Sequence, residues 1–113
     1  MGVDERAAVI LDRALAGDPT VRSQGMFGGI GFMRHGHMLC GAMSDKMGGG
    51  AMFRVGPEQM PEALAIEGVG PFDAAGRSMT GFVAVPTEVI EDEAMLERLL
   101  ELAGRYVGSL PPK

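Results

Sequence analysis

Between residues 33 and 43 the chain gathers Met33, His35, His37, Met38, Cys40 and Met43, which include its single cysteine and both of its histidines. Thioether and thiolate sulfurs suit Cu(I), and imidazole serves several metals. Strand geometry decides which of these side chains meet. If His35-Gly36 is a two-residue hairpin turn, Arg34 pairs with His37, Met33 with Met38, Phe32 with Leu39 and Gly31 with Cys40. His37 then shares a face with Phe32 and Leu39, while Met33, Met38 and Cys40 share the other. One ion does not easily take both His37 and Cys40, so Met33, Met38 and Cys40 are left as the soft-metal candidates. Methionine is equally an adaptable packing residue, and the expectation is a chain with no metal and no cofactor.

Other chemistries find less support. Gly28-Gly29-Ile30-Gly31 invites a phosphate-loop reading, but Arg34 stands where the dinucleotide fingerprint needs its last glycine. The run also leads into a strand and not into a helix N-terminus. Gly28 and Gly29 are read instead as permitting a bulge or a close backbone approach; a small-ligand pocket beside Met26 to Gly29 is an alternative. No serine sits in a Gly-x-Ser-x-Gly elbow, and Cys40 has no base that strand parity would favour, so no catalytic residue is assigned and the protein is expected to be non-enzymatic. Glu91, Asp92, Glu93, Glu97 and Glu101 follow a capping and solvent-face pattern, not that of an acid/base pair. Arg22, Arg34, Arg54 and Arg77 would make a phosphate or nucleic-acid patch only if they converged. The net charge of -5 lacks the positive field that supplies most non-specific nucleic-acid affinity, so binding by the domain alone is not expected.

These residues need a scaffold, and 113 residues at 46% hydrophobic and 22% charged suffice for one domain with a real core. Ala7, Ile10, Leu11, Ala14 and Leu15 recur at helical spacing between Val3 and Ala16, with Asp4 as N-cap and Gly17 followed by Pro19 as the stop. Scattered glycines then break the chain into strands near 26–34, 37–43 and 50–55. A short helix follows over Pro57 to Ile66, with Gly68 after it. Phe72 to Arg77 reads as a strand end and turn, and Met79 to Val85 as a strand ended by Pro86. Leu96, Leu99, Leu100, Ala103, Tyr106, Val107 and Leu110 form one stripe of a last helix, capped by Asp92 and ended by Pro111-Pro112. The order α-β-β-β-α-β-β-α implies an α+β domain with two layers, a five-stranded antiparallel sheet and helices packed on one face.

That layout has a consequence for the hairpin. Ile30, Phe32 and Leu39 make one face apolar, and Met33, Met38 and Cys40 make the other apolar too. Helices on one side would leave the methionine face bare, and a bare apolar face marks an interaction surface. Met33, Met38, Met52 and Cys40 are therefore the candidate contacts of a homodimer or a protein partner, a role that suits adaptable methionine.

Met26-Phe27-Gly28-Gly29-Ile30-Gly31-Phe32, the turn at His35-Gly36, Phe53-Arg54-Val55, and Met79 to Val85 leading into Pro86 occur in one order. The chain thereby resembles the N-terminal domain of TfoX (Sxy) type competence regulators, most closely over residues 21–86, with 1–113 as a single domain and 111–113 as its tail. Met26, Phe27, Gly28 and Gly29 carry the most specific part of the motif. The resemblance implies the two-layer fold of YgaC and the secretion-chaperone-like group, which commonly dimerises, and a role among transcription co-regulators. A lone cysteine, no apolar run of about 18 residues and no secretory pattern at the N-terminus fit a cytoplasmic protein without a membrane span.

Overall fold

The computed structural model describes residues 2–26, 28–74 and 76–113. Asp4 begins it. Its Oδ1 accepts the Ala7 N–H at 3.1 Å and caps α1 (Glu5–Leu15), as the sequence predicts. The strands are β1 (Val21–Met26), β2 (Gly29–Arg34), β3 (His37–Ala42), β4 (Ala51–Arg54), β5 (Gly70–Ala74) and β6 (Arg77–Val85). A one-turn helix at Pro57–Gln59 and α2 (Met60–Leu64) fill the predicted second helix. After β6 come α3 (Thr87–Ile90) and α4 (Glu93–Gly108), whose cap is Asp92, accepting from the Ala94 N–H at 2.9 Å and the Met95 N–H at 3.4 Å.

The strands form one antiparallel sheet in the order β1-β2-β3-β4-β6-β5. The α+β expectation holds, but the sheet has six strands and not five. The unforeseen strand is β1, Val-Arg-Ser-Gln-Gly-Met, a polar edge strand that buries neither face and so shows no apolar alternation. Helix α3 was also unforeseen, because four residues carry no period.

The predicted turn is present: His35 at φ 53° and Gly36 at φ 84° are both left-handed, as a two-residue hairpin of this twist requires. Arg34 pairs with His37 and Met33 with Met38, as expected. Beyond that point the register corrects the sequence reading. Phe32 pairs with Cys40 and not Leu39, and Gly31 with Gly41 and not Cys40, because β3 carries one extra residue in a bulge. Leu39 and Cys40, at 1% and 0% exposure, thus both enter the interior.

Helices α1 and α4 lie against β3 and β4, α2 against β6, and α3 bridges α1 and α4. Between helices and sheet sit Leu11, Leu99, Leu102, Ala103 and Val107 from the helices with Phe32, Cys40, Phe53, Val83 and Val85 from the strands. All are buried.

Polar ties close this layer at three places. The Asp4 Oδ2 accepts from the Gly50 N–H at 2.8 Å and from the Thr87 hydroxyl at 2.8 Å, joining the start of α1, the β3–β4 loop and α3. The Asp18 carboxylate accepts the Thr20 hydroxyl and N–H and the Arg34 guanidinium, which fastens the α1–β1 loop to the end of β2. The Thr20 hydroxyl, the Thr20 N–H and Arg34, in that order, pull the Asp18 carboxyl down to about 2. At the other end of the hairpin the tail 111–113 lies over the turn. His37 Nε2 lies 2.7 Å from the Pro111 carbonyl, to which it donates, and the Lys113 N–H donates to the His35 carbonyl at 2.9 Å.

Asp4 gives the first prediction. The Gly50 N–H is the largest of the interactions that hold its carboxyl below the usual range; the Ala7 N–H and the Thr87 hydroxyl act the same way, against partial burial. A folded pKa below the unfolded one means that the stabilisation is complete above pH about 4 and is lost as pH falls through the folded value. Asp4→Ala removes the cap and leaves the Gly50 and Thr87 donors without their acceptor, and should cost about 2–4 kcal/mol at neutral pH. In urea titrations the difference between wild type and Asp4→Asn should shrink as pH drops below about 4; a difference independent of pH would refute the charged role.

Candidate functional site

The face of the sheet turned away from the helices is built on a row of small residues interrupted at its centre by one methionine. Across the strands run Gly31, Gly41, Met52, Ala84 and Gly70, each paired with the next. Flanking rows bring Met26, and on the other side Met33 opposite Met38. The side chains of Met26 and Met38 lie across Gly31: a methyl group built there would stand 3.1 Å from Met26 Sδ and 3.1 Å from Met38 Cε. Gly29 and Gly41 are needed for a different reason. A side chain on either would meet backbone oxygen of the neighbouring strand, at 2.3 Å from Ala42 and 2.9 Å from Ile30 respectively. Gly29 therefore allows the close backbone approach read for it from the sequence, Gly41 allows another that the sequence reading did not single out, and Gly28 supplies the left-handed turn between β1 and β2 at φ 78°.

Met26, Met38, Met43, Met47 and Met52 wall a hollow of about 50 Å³ above this row, floored by Gly29, Gly31 and Gly41. Met52 is 5% exposed and Met47 41% exposed; Met33 and Met38 are half-buried. So of the contacts proposed from the sequence, Met33 and Met38 face outward, and Met52 lies at the bottom, covered by methionines of its own chain. Cys40 does not join them. The β3 bulge turns it to the helix side, opposite Phe53, where burial pushes its thiol pKa strongly up and keeps it neutral. A Met33, Met38 and Cys40 metal set is thereby ruled out by geometry, because Cys40 lies on the opposite face of the sheet. Periodicity alone could not find the bulge; Leu39-Cys40 as adjacent apolar residues before Gly41 was the available signal. Phe27 of the family motif lies outside the described residues.

His37 points to the helix side beneath the tail, with its Nδ1 buried and without a hydrogen-bond partner among the described residues. No cluster of three His, Cys, Asp or Glu side chains suited to a metal occurs among the described residues. The arginines do not converge either. Arg34 is held by Asp18, and the Arg54 guanidinium lies 5.5 Å from the ring centroids of both Phe82 and Tyr106. The acidic residues there play the parts expected of caps and a solvated face: Glu91, just after α3, pairs with Arg6, Asp92 caps α4, and Glu101 of α4 pairs with Arg98 and Arg105.

A groove of about 840 Å³ lies between α1 and α4, lined by Val9, Ile10, Leu96 and Leu100 together with Glu5, Arg6 and Arg13 of α1 and Glu93 and Glu97 of α4. It holds no nucleophile beside a base. No helix among the described residues is long and apolar enough to cross a membrane.

The buried neutral thiol gives a second prediction. Cys40 should react with an aromatic disulfide reagent only after unfolding, at a rate set by the opening equilibrium; reaction at the speed of a free thiol in the native protein would contradict its placement.

No curated protein and no solved structure matches the chain. The family model described as the TfoX N-terminal domain matches residues 13–105. It spans the helix-backed sheet, the glycine floor and the bulged hairpin alike, and the chain belongs to the TfoX N-terminal domain family.

Proposed function

We propose that this domain is a non-enzymatic, cytoplasmic protein-interaction module that works through the open face of its sheet, with a second copy of itself as the first partner. The observation that carries the reading is the sidedness of the fold. The helices pack on one side, while Met33 and Met38 stand half-exposed on the other beside a shallow row of Gly31, Gly41, Ala84 and Gly70. A row of such small side chains lets an opposing surface come close, and flexible thioethers repack against it without strict shape matching. A role in transcription regulation, by contact with another protein, follows from the family at the level of proposal. Nucleic-acid binding by the domain itself is disfavoured by the net charge of -5 and by the engagement of Arg34 and Arg54 within the fold.

Light scattering over a concentration series tests this. The wild type should approach twice the chain mass, and Met38→Asp should remain folded by circular dichroism yet stay at the mass of one chain, because an ionised carboxylate at a closed apolar contact costs several kcal/mol. A wild type that stays monomeric throughout, or a Met38→Asp dimer, would sink the homodimer reading.

A further inference from the structure

The two faces of the sheet are apolar in different ways. Toward the helices the strands contribute Phe32, Leu39, Phe53, Val83 and Val85 to the core and not one methionine. Toward the other side Met26, Met38 and Met52 come from three different strands, and Met43 and Met47 from the β3–β4 loop, around one hollow. Plain space-filling on a pleated surface favours β-branched and aromatic side chains. Five unbranched thioethers around one small volume ask for a reason specific to sulfur.

The floor supports the same point. A side chain at Gly31 would run into Met26 Sδ and Met38 Cε, and glycine there leaves about 50 Å³ between the thioethers. That exceeds the space of about 10–15 Å³ that one water needs, yet the walls offer water few polar partners besides Ser44. Hard cations want oxygen ligands, and Zn²⁺ wants imidazole, thiolate or carboxylate. Neither set lines the hollow. Thioether sulfur is neutral, soft and polarisable, and selects a monovalent soft cation.

We propose that this hollow is a binding site for Cu(I), or another monovalent soft cation, with Met26, Met38 and Met52 as the thioether ligands and Met43 and Met47 completing the wall. It replaces the Met33, Met38 and Cys40 set that the bulge forbids. The proposal stands apart from the dimer reading, although the two share Met38. Because thioethers carry no proton to lose, affinity is independent of pH across the range where imidazole or thiol ligands titrate.

The test is anaerobic competition for Cu(I) against a chromophoric chelator, with Ag(I) as a redox-inert second probe. The expected result is one ion per chain and an affinity flat between about pH 5.5 and 7.5. Replacing Met26, Met38 and Met52 together by leucine preserves volume and the apolar face, so folding and chain association should survive while affinity falls at least about tenfold. Should the triple variant misfold, Met38→Leu alone serves and should weaken binding measurably. Cys40→Ser should bind as the wild type does. Failure to compete with the chelator, affinity retained by the leucine variants, affinity lost in Cys40→Ser, or a pH dependence with a histidine or thiol midpoint would each overturn the site. The dimer reading fails separately, on Met38→Asp and chain mass.

Discussion

The bulge in β3 places two consecutive side chains, Leu39 and Cys40, in the same apolar layer, and the rest of the sheet takes its sidedness from that shift. Without the extra residue, Cys40 would stand opposite Gly31 on the open face, and the pairs between the bulge and β4 would change sides. With it, Cys40 faces Phe53 and Gly41 faces Met52, so the helix side receives branched and aromatic residues and the open side receives glycine and methionine. Bulges do this by leaving one residue outside the ladder and bending the strand locally. Here the effect is to keep the only thiol away from the thioethers.

Sidedness of this kind needs a rigid backing, and the Asp4 carboxylate supplies part of it. One acidic side chain meets donors from α1, the β3–β4 loop and α3. The loop it holds is the one that carries Met43 and Met47 over the open face. A charged hydrogen-bond acceptor on the helix side thus fixes where the thioethers of the other side lie. At the far end of the same hairpin, His37 and the His35 carbonyl hold the chain terminus, so both ends of β3 are tied to segments distant in sequence.

Much of this was legible in the residues. Asp4 and Asp92 announced the caps, His35-Gly36 the turn, and the spacing of Leu96, Leu99, Ala103 and Val107 the buried stripe of the last helix. What was not legible has a physical cause in each case. The β1 strand is an edge element held by backbone pairing, so its side chains carry no periodic signal. The bulge lies within Met38-Leu39-Cys40, where apolar neighbours on both sides remove the alternation that would betray a shift of one residue. The hollow depends on Met43 and Met47, which reach it only because a loop is held in place by Asp4, a contact between residues far apart in the chain.

The position of β1 has a dynamic consequence. It is paired with β2 alone, and its side chains are mostly exposed. Hydrogen bonds at such an edge open by local fraying at much lower free energy than those of the central strands, and their amides exchange first. Its last residue, Met26, is nevertheless one of the two side chains that roof Gly31. Each time β1 peels from β2, the thioether hollow loses part of its cover while the core beneath stays closed. Exposure of the part of the hollow beneath Met26 therefore follows the fraying of one edge strand and needs no global unfolding.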